Sequence, residues 1–268
     1  MATTLKLISK EELILKFQEI ESMGWIKVPT KRKKNDGSVG NLLEDLLGIP
    51  ENNLPIPNAA EWELKAQRAE TSSLVTLCHQ EPSPRAASLV PNMLLPNYGW
   101  KHAEAGKKYP IEEMSFRATL NAASFTDRGF RVNVNRKEER VEIIFDSSKC
   151  DIAKHGDWLN GIKSKVGLGS LPTLPYWGFN DLYTKVGTKL INCFFVQAET
   201  KREARNQYYH YNNVLMLKRV DKEKFIDAIE QGIIYIDFDA RTGHNHGTKF
   251  RIKNKDIPML YAEATKVV

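Results

Sequence analysis

The sequence predicts a mixed α/β fold, an α+β arrangement in which helices pack on a mixed sheet. Three observations carry this prediction. The pattern Ser9-Lys10-Glu11-Glu12 is a capping box that opens an amphipathic helix. The apolar run at residues 190–198 has the length and composition of a central strand. Alternating segments joined by polar turns have the form of β-hairpins. Because helical and strand patterns alternate along the chain, a single-class fold does not fit.

The first third of the chain predicts two helices and two strands. After the capped helix, a short helix is predicted at residues 41–47, and a loop rich in proline and asparagine follows at residues 49–58. Residues 61–67 alternate like a strand, residues 73–78 form a second strand, and the two could form an antiparallel pair.

The remaining elements follow in chain order. Residues 82–106 are predicted to be irregular, residues 130–135 and 141–145 to form a hairpin, and residues 150–176 to be rich in loops. The C-terminal third is predicted to contain helices at 179–189 and 221–231 and strands at 190–198, 208–217, 233–238 and 248–252.

Composition narrows the class of protein. The 268 residues, 41% of them hydrophobic and 27% charged, suit one large globular domain or two lobes. No apolar run approaches the roughly 20 residues that span a bilayer, and the N-terminus lacks the apolar core of a signal peptide. We therefore expect a cytoplasmic protein without a membrane partner. The three dispersed cysteines predict buried free thiols, and the net charge of +6 favours a polyanionic partner.

The triplet Glu63-Leu64-Lys65 suggests phosphodiester chemistry. On a strand, Glu63 and Lys65 point to one side about 7 Å apart, and the carbonyl of Leu64 is a further oxygen donor. Mg²⁺ takes oxygen ligands such as these, and a nearby lysine can orient water and stabilise negative charge. The triplet alone is weak, since about one copy is expected by chance in a chain of this size. A second copy is Glu199-Thr200-Lys201, and the ordinary alternative for either is a solvated strand face.

The surroundings separate the two copies. Upstream of Glu63, the stretch GSVGNLLE places Glu44 on a helix whose N-terminus is suited to a phosphate. Asn58 stands five residues before Glu63, where a second metal-binding carboxylate would be expected. Phe194 stands at the same distance before Glu199.

With LGIPENNLPIPNAAEWELKAQR, these motifs resemble the MutH-like branch of the PD-(D/E)xK nucleases, most closely the type II restriction endonucleases of the MvaI/BcnI type and their BcnI-like members. The similarity extends to LISKEELILKFQEIESMGWIKVPT at the start, SLVTLCHQEP after the catalytic strand and GIIYIDFDARTGHNHGTKFRI near the end. It is weakest in residues 82–175. It implies one nuclease chain over residues 1–268, with catalytic motifs within about 31–80 and recognition elements mainly in 190–268.

The resemblance assigns roles to the motif. Glu63 becomes a metal ligand, Lys65 the catalytic lysine and Glu44 an acidic residue that supports the metal site. Position 58 is aspartate in the family pattern, so Asn58 keeps one oxygen ligand but loses the charge. Mg²⁺ binding and cleavage should then weaken. Either the chain is a form disabled at this position, or it is a natural pseudo-nuclease.

Recognition candidates are concentrated near the C-terminus. Residues 241–251, RTGHNHGTKFR, gather the donors that read base edges in the major groove. The resemblance adds His79, which matches a position that the BcnI-like members use near the central base pair. The base-reading candidates are His79, His244, His246, Arg251, Arg241 and Asp237. The basic run Lys31, Arg32, Lys33 and Lys34 is expected to contact phosphates.

Ordinary alternatives exist for several of these residues. The two histidines also suit a polar turn or a metal pair, and Arg251 suits a structural ion pair. Asp237 suits a cap at the strand end or a pair with Arg241. The aromatic Trp62, on the opposite strand face from Glu63, is expected in the core.

The resemblance implies Mg²⁺-dependent hydrolysis of double-stranded DNA at a short CC-N-GG-like site. Enzymes of this type act as monomers, with a DNA cleft between two lobes, and nick the strands one after the other. A cognate DNA methyltransferase would protect the host site, and no stable protein partner is expected. The alternatives are a MutH-like mismatch-repair nicking endonuclease, a sequence-specific DNA-binding protein that does not cleave, and a protein with no DNA role.

Overall fold

The computed structural model describes residues 8–32, 37–49 and 61–268. The chain divides into two compact units. The first unit comprises Met1–Val75, Thr184–Lys222 and Lys253–Val268, and the second comprises Thr76–Tyr183 and Glu223–Ile252. In the described part of the chain, no helix is long and apolar enough to cross a membrane.

The helices and strands alternate along the chain, as the mixed pattern predicts. The helices are α1 (Lys10–Ser22), α2 (Ser38–Leu47), α3 (Leu95–Tyr98), α4 (Ile152–Val166), α5 (Phe179–Lys189) and α6 (Lys222–Glu230). The strands are β1 (Ile26–Lys27), β2 (Trp62–Arg68), β3 (Val75–His79), β4 (Trp100–Lys101), β5 (Met114–Leu120), β6 (Arg128–Asn135), β7 (Arg140–Cys150), β8 (Tyr176–Gly178), β9 (Asn192–Glu203), β10 (Asn206–Val220), β11 (Ile234–Arg241), β12 (His244–Asn245), β13 (Lys249–Ile252) and β14 (Tyr261–Lys266).

The capping box at the start of α1 is present as predicted. The Ser9 hydroxyl accepts a hydrogen bond from the Glu12 amide at 3.1 Å, and the Ser9 amide donates to Glu12 Oε2 at 2.9 Å. The apolar face of α1 is buried, and Gly24 follows the helix with a φ of 64°. The capping box therefore confirms the predicted start of the first helix.

The first unit is built on one mixed sheet with the strand order β1-β10-β9-β2, and β14 also pairs with β10. Strand β2 runs parallel to β9, which confirms the central position of the apolar run. The predicted antiparallel pairing of residues 61–67 with 73–78 is wrong, because β3 pairs with β13 instead. The start of β2 is buried on both faces, which is typical of a strand in a parallel pair and not of one in a solvent-facing hairpin.

Helices α1 and α2 share a core with one face of this sheet. Trp62 is 3% exposed and its ring centroid lies 4.6 Å from that of Phe194, so the predicted core role of Trp62 is confirmed. Leu64 belongs to the same core. Because side chains alternate along a strand, Glu63 points to the opposite face of the sheet.

The predicted loop-rich character of residues 150–176 is wrong for most of its length, because α4 occupies Ile152–Val166. Asp151 caps this helix by accepting from the Lys154 amide, and Leu159 and Ile162 are buried. Gly156 and Gly161 weaken the helical pattern in the sequence, and tertiary packing overrides that weakness.

The second unit contains a sheet with the order β3-β13-β11-β5-β4 and an antiparallel sheet β6-β7-β8, so the predicted hairpin of residues 130–145 is confirmed. Strand β11 alternates strictly between buried and half-buried residues. Its buried side chains join an aromatic core that includes Phe116, Phe130, Trp177 and Phe250. Cys78, Cys150 and Cys193 are buried free thiols, as predicted.

Candidate active site

Glu63 is a buried carboxylate near the start of β2. It is 2% exposed. Its neighbours in sequence, Trp62 and Leu64, are buried on the opposite face of the sheet, so both faces of the strand are buried here. A carboxylate in such a place must be paired, because desolvation strongly disfavours an isolated charge. The first alternative for this triplet, a solvated strand face, is therefore wrong.

Two lysines supply the pairing. Lys65 Nζ lies 2.7 Å from Glu63 Oε1, and Lys189 Nζ lies 3.0 Å from Glu63 Oε2. The lysine side chains are only 17% and 19% exposed, so both ammonium groups are partly withdrawn from water. The structure thus brings Glu63 and Lys65 together as predicted and adds a second cation, Lys189.

The two oxygens of Glu63 differ in their hydrogen bonding. Oε2 is buried and, despite the nearby Lys189, makes no aligned hydrogen bond with any residue that the structure describes. Because the ion pair uses no directional hydrogen bond, the lone pairs of Oε2 can bind a metal cation.

Cys193 and Tyr261 lie close to Glu63 in the interior. Cys193 stands beside Glu63 in the parallel register. Burial raises the pKa of the Cys193 thiol to about 12, and the negative charge of Glu63 contributes to that shift. Burial likewise raises the pKa of Tyr261 well above its usual value, with smaller contributions from Cys193 and Glu63. Both groups are therefore neutral at physiological pH, and the charges here belong to Glu63 and the lysines.

The prediction from sequence missed Lys189 because it missed the strand pairing. Lys189 ends α5, and two residues separate it from the start of β9. Parallel neighbours begin at the same edge of a sheet, and Trp62 pairs with Asn192 in this register. A residue just before β9 must therefore lie near the start of β2, where Glu63 stands. A lysine that directly precedes a strongly apolar strand was the available signal.

The second Glu-x-Lys copy has different surroundings. Glu199 is exposed on β9, and Lys201 forms its ion pair with Glu203 at 2.8 Å. The Lys201 ammonium also lies 5.2 Å from the centroid of the Trp25 ring. This copy fits the ordinary alternative of a solvated strand face.

A divalent cation fits the residues at Glu63 in part. Its buried Oε2, without an aligned hydrogen bond, is a suitable ligand atom, and Mg²⁺ often uses only one or two carboxylates together with water. The described residues contain no cluster of three or more acidic, histidine or cysteine side chains that could hold a metal. Asn58 lies outside the described residues, and Glu44 is half-buried on α2. The metal-site roles of Asn58, Glu63, Leu64 and Glu44 stay predictions.

The helix α2 begins at a buried polar contact. The Ser38 hydroxyl lies 2.6 Å from the Tyr209 hydroxyl, and Arg68 Nη2 approaches both oxygens at 3.4 and 3.3 Å. In this structure the Ser38 hydroxyl therefore contacts Tyr209 and Arg68. The predicted phosphate contact at the start of α2 stays a prediction.

The basic run is described only in part. Lys31 is exposed, whereas Arg32 makes a two-point contact with Asp45, with N–O distances of 3.2 and 2.9 Å. Lys33 and Lys34 lie outside the described residues. Arg32 thus has a structural partner, and phosphate contact by this run stays a prediction.

Three histidine candidates lie around one turn of the second unit. His244 Nε2 lies 3.3 Å from His246 Nδ1. The Thr248 amide donates to Glu81 at 2.8 Å, and a side chain at Gly247 would lie 3.7 Å from the His79 ring. The end of β3 and the turn before β13 are therefore adjacent. The described residues offer no third ligand for a metal at the histidine pair.

The other candidates are tied by ion pairs within the sheet. Arg251 Nη1 lies 3.1 Å from Asp237 Oδ2, and the Thr119 hydroxyl donates to Asp237 Oδ1 at 2.7 Å. Arg251 therefore has the ion pair that the ordinary alternative expected. The suggested pair of Asp237 with Arg241 is wrong, because Arg241 pairs with the buried Glu113 at 3.0 Å. Glu113 directly precedes β5, a strand that was not predicted from the sequence.

Further charged groups that the sequence analysis missed lie on the same sheet face. Arg117 and Lys249 lie 2.7 and 3.3 Å from the two oxygens of Asp239. Burial would raise the pKa of Asp239, but the hydrogen bond and charge of Arg117 and the charge of Lys249 outweigh it and lower the pKa. The alternation of polar and apolar residues along β11 was the signal for this face.

Comparisons with known proteins agree with this architecture. A structure of the restriction endonuclease MvaI in complex with its cognate DNA substrate superposes with a TM-score of 0.75 at 22% identity, covering 97% of this chain and 99% of that one. MvaI in the absence of DNA gives a TM-score of 0.54 at 22% identity, with both chains covered completely. The likeness shows the fold, which is consistent with that of the PD-(D/E)xK nucleases.

No curated protein is similar enough in sequence to count as a match. The model of the MvaI/BcnI restriction endonuclease family matches residues 14–261. That span includes both Glu63 with its two lysines and the histidine turn. The chain belongs to the MvaI/BcnI restriction endonuclease family.

Proposed function

We propose that the chain is a type II restriction endonuclease that binds double-stranded DNA at a short CC-N-GG-like site and hydrolyses it with Mg²⁺. In this proposal, Asn58 reduces cleavage. The single observation that carries the proposal is the buried Glu63, held between Lys65 and Lys189 at 2.7 and 3.0 Å.

The burial of Glu63 is easier to explain by function than by stability. Replacing a buried ion pair with apolar residues is often neutral or stabilising, so such a pair is weak support for a stabilising role. Membership of a restriction endonuclease family supports a catalytic role for this carboxylate instead. The known complex of MvaI with its cognate DNA supports DNA as the substrate.

The residues near Glu63 suit phosphodiester hydrolysis. Glu63 would offer a ligand oxygen, and Lys65 would orient the attacking water and stabilise negative charge on the phosphate. Asn58, the Leu64 carbonyl and Glu44 would complete or support the site. When bound, Mg²⁺ supplies charge neutralisation at the phosphate and lowers the pKa of water.

The amide at position 58 is the reason for proposing reduced cleavage. Asn58 offers one neutral oxygen where the family pattern has a carboxylate, so the site holds one negative charge fewer against the positive charges of Lys65 and Lys189. A hard dication then binds less strongly. DNA binding does not depend on this charge and should persist.

Recognition is proposed for the second unit. His79, His244 and His246 gather around one turn, and Asp237, Arg251 and Arg241 share a polar sheet face. Their donors and acceptors suit base edges in the major groove. Lys31, Arg32, Lys33 and Lys34 would contact phosphates. The CC-N-GG-like site, sequential nicking by a monomer and a protecting methyltransferase follow from the family resemblance.

The test is cleavage of supercoiled plasmid in Mg²⁺ by this chain and by Asn58→Asp, together with gel-shift binding in Ca²⁺. We expect the Asn58→Asp chain to cut at discrete sites and the parent chain to bind those sites while cutting far more slowly. If both chains bind a defined sequence and neither cuts, the chain is a non-cleaving DNA-binding protein. Cutting of one strand only, at hemimethylated sites, would support a mismatch-repair nickase instead.

A further inference from the structure

A second lysine contacts the buried Glu63, and the proposed function gives it no specific task. Lys189 is the last residue of α5, and its Nζ lies 3.0 Å from Glu63 Oε2. Lys65 faces the other oxygen at 2.7 Å, so each oxygen of one carboxylate has its own ammonium group. Together these three side chains carry more positive than negative charge, and Glu63 alone would need only one cation.

A purely structural explanation accounts for only part of this arrangement. A lysine in the last turn of a helix interacts favourably with the negative end of the helix dipole. That interaction is available at the surface and does not require the ammonium to reach a carboxylate on another element. Lys189 is only 19% exposed, and removing a cation from water is unfavourable unless its partner offsets it.

The two ion pairs of Glu63 are not equivalent. Oε2, the oxygen that faces Lys189, is buried and makes no aligned hydrogen bond with a described residue. The contact with Lys189 is therefore chiefly electrostatic. A cation that approached Oε2 would displace a charge but would break no well-aligned hydrogen bond.

We infer that Lys189 is a positioning residue of the proposed nuclease site. It holds Glu63 Oε2 in place until a divalent cation binds that oxygen, and it weakens the binding of that cation. The inference rests on the proposed function, because it assumes that Glu63 is a metal ligand. Lys65, which faces the other oxygen, keeps its role beside the phosphate.

Charge and geometry give two effects of opposite sign. An ammonium 3.0 Å from the ligand oxygen repels a dication at that oxygen, so its removal should tighten cation binding. The same ammonium fixes the orientation of Glu63, and small displacements of a catalytic group slow the reaction. Loss of Lys189 should therefore strengthen metal binding while it slows cleavage. A residue that only stabilised the fold would not produce this opposition.

The experiment measures Mn²⁺ binding, by the electron paramagnetic resonance signal of the free ion, to DNA-free Asn58→Asp protein and its variants. We expect Lys189→Met to lower the Kd for Mn²⁺ by about tenfold, as expected for the loss of one repelling charge in a partly hydrated site. Lys189→Arg, which keeps the charge, should stay within about threefold of its parent. Lys185→Met, one turn earlier on α5, is the matched control for net charge, and we expect a change of less than about twofold. Plasmid cleavage at saturating Mn²⁺ should fall at least about tenfold in Lys189→Met.

Glu63→Gln separates the inference from the proposal on which it rests. If Glu63→Gln abolishes Mn²⁺ binding and a folded Lys189→Met binds Mn²⁺ as its parent does or more weakly, the inference is overturned and the proposed site stands. If Glu63→Gln leaves Mn²⁺ binding unchanged, both are overturned. Circular dichroism melting confirms folding, and Lys189→Gln replaces Lys189→Met if the latter does not fold.

Discussion

The two Glu-x-Lys triplets of this protein lie on neighbouring parallel strands and differ in almost every physical respect. Glu63 on β2 is 2% exposed and has two lysine partners, whereas Glu199 on β9 is exposed. Lys201 does not need Glu199, because it pairs with Glu203 and lies near aromatic rings. Three letters of sequence therefore carry little information about function, and burial with a second cation carries much more.

The largest effect should come from removing each carboxylate in turn. In the Asn58→Asp chain, Glu63→Gln should slow plasmid cleavage by more than the roughly 10–100-fold that loss of an outer-shell partner costs at metal sites. Glu199→Gln should leave the rate within about twofold, as expected for an exposed position. Equal losses in the two variants would remove the distinction between the triplets.

The surroundings of Glu63 should also make the protein sensitive to alkaline pH. Burial raises the pKa of Cys193 from 9.0 to about 12, so the unfolded chain loses the thiol proton at a lower pH than the folded chain. This contribution to stability is complete below pH 9.0 and is lost as the pH rises towards about 12. In that window, Cys193 should reduce the free energy of unfolding by about 1.4 kcal/mol per pH unit.

Urea unfolding from pH 8 to pH 11 measures this dependence. The matched variant is Cys193→Ala, which should unfold with a shallower dependence on pH because other buried groups, including Tyr261, still contribute. An unchanged slope in that variant would show that Cys193 ionises normally in the folded protein.

A smaller difference is expected when the lysine of each triplet is removed. Lys65→Met leaves a buried carboxylate with Lys189 as its described cationic partner, so we expect destabilisation of about 1–3 kcal/mol. Lys201→Met removes a surface ion pair and should cost less than about 1 kcal/mol. Urea midpoints in metal-free buffer provide the comparison, and a larger cost for Lys201→Met would contradict the ranking.

The sequence predicted local features better than the neighbours of each strand. The Ser9 capping box, Gly48 after α2 and the full extent of α5 were readable because caps and periodicity are properties of adjacent residues. The parallel pairing of β2 with β9 joins residues more than a hundred positions apart, and no local pattern specifies it. That pairing places Lys189 beside Glu63. Because the strand pairing was predicted wrongly, Lys189 was not included among the predicted site residues.

The same reasoning applies to the second unit. The turn with His244 and His246 was found from composition alone, since donors cluster there in one short stretch. The partners of Arg241 and Asp239, which are Glu113 and Arg117, come from the region around β5, which the sequence analysis left without a prediction. Charged residues on a half-buried sheet face could be recognised, but their partners depended on strand order.

The most direct test of a metal site at Glu63 is anomalous diffraction from crystals of the Asn58→Asp protein soaked in Mn²⁺. We predict an anomalous peak within roughly 2–2.5 Å of Glu63 Oε2, a distance typical of metal–carboxylate contacts, and no peak at Glu199. A peak at the His244–His246 pair with none at Glu63 would contradict the account, because the buried carboxylate would then have no role as a metal ligand.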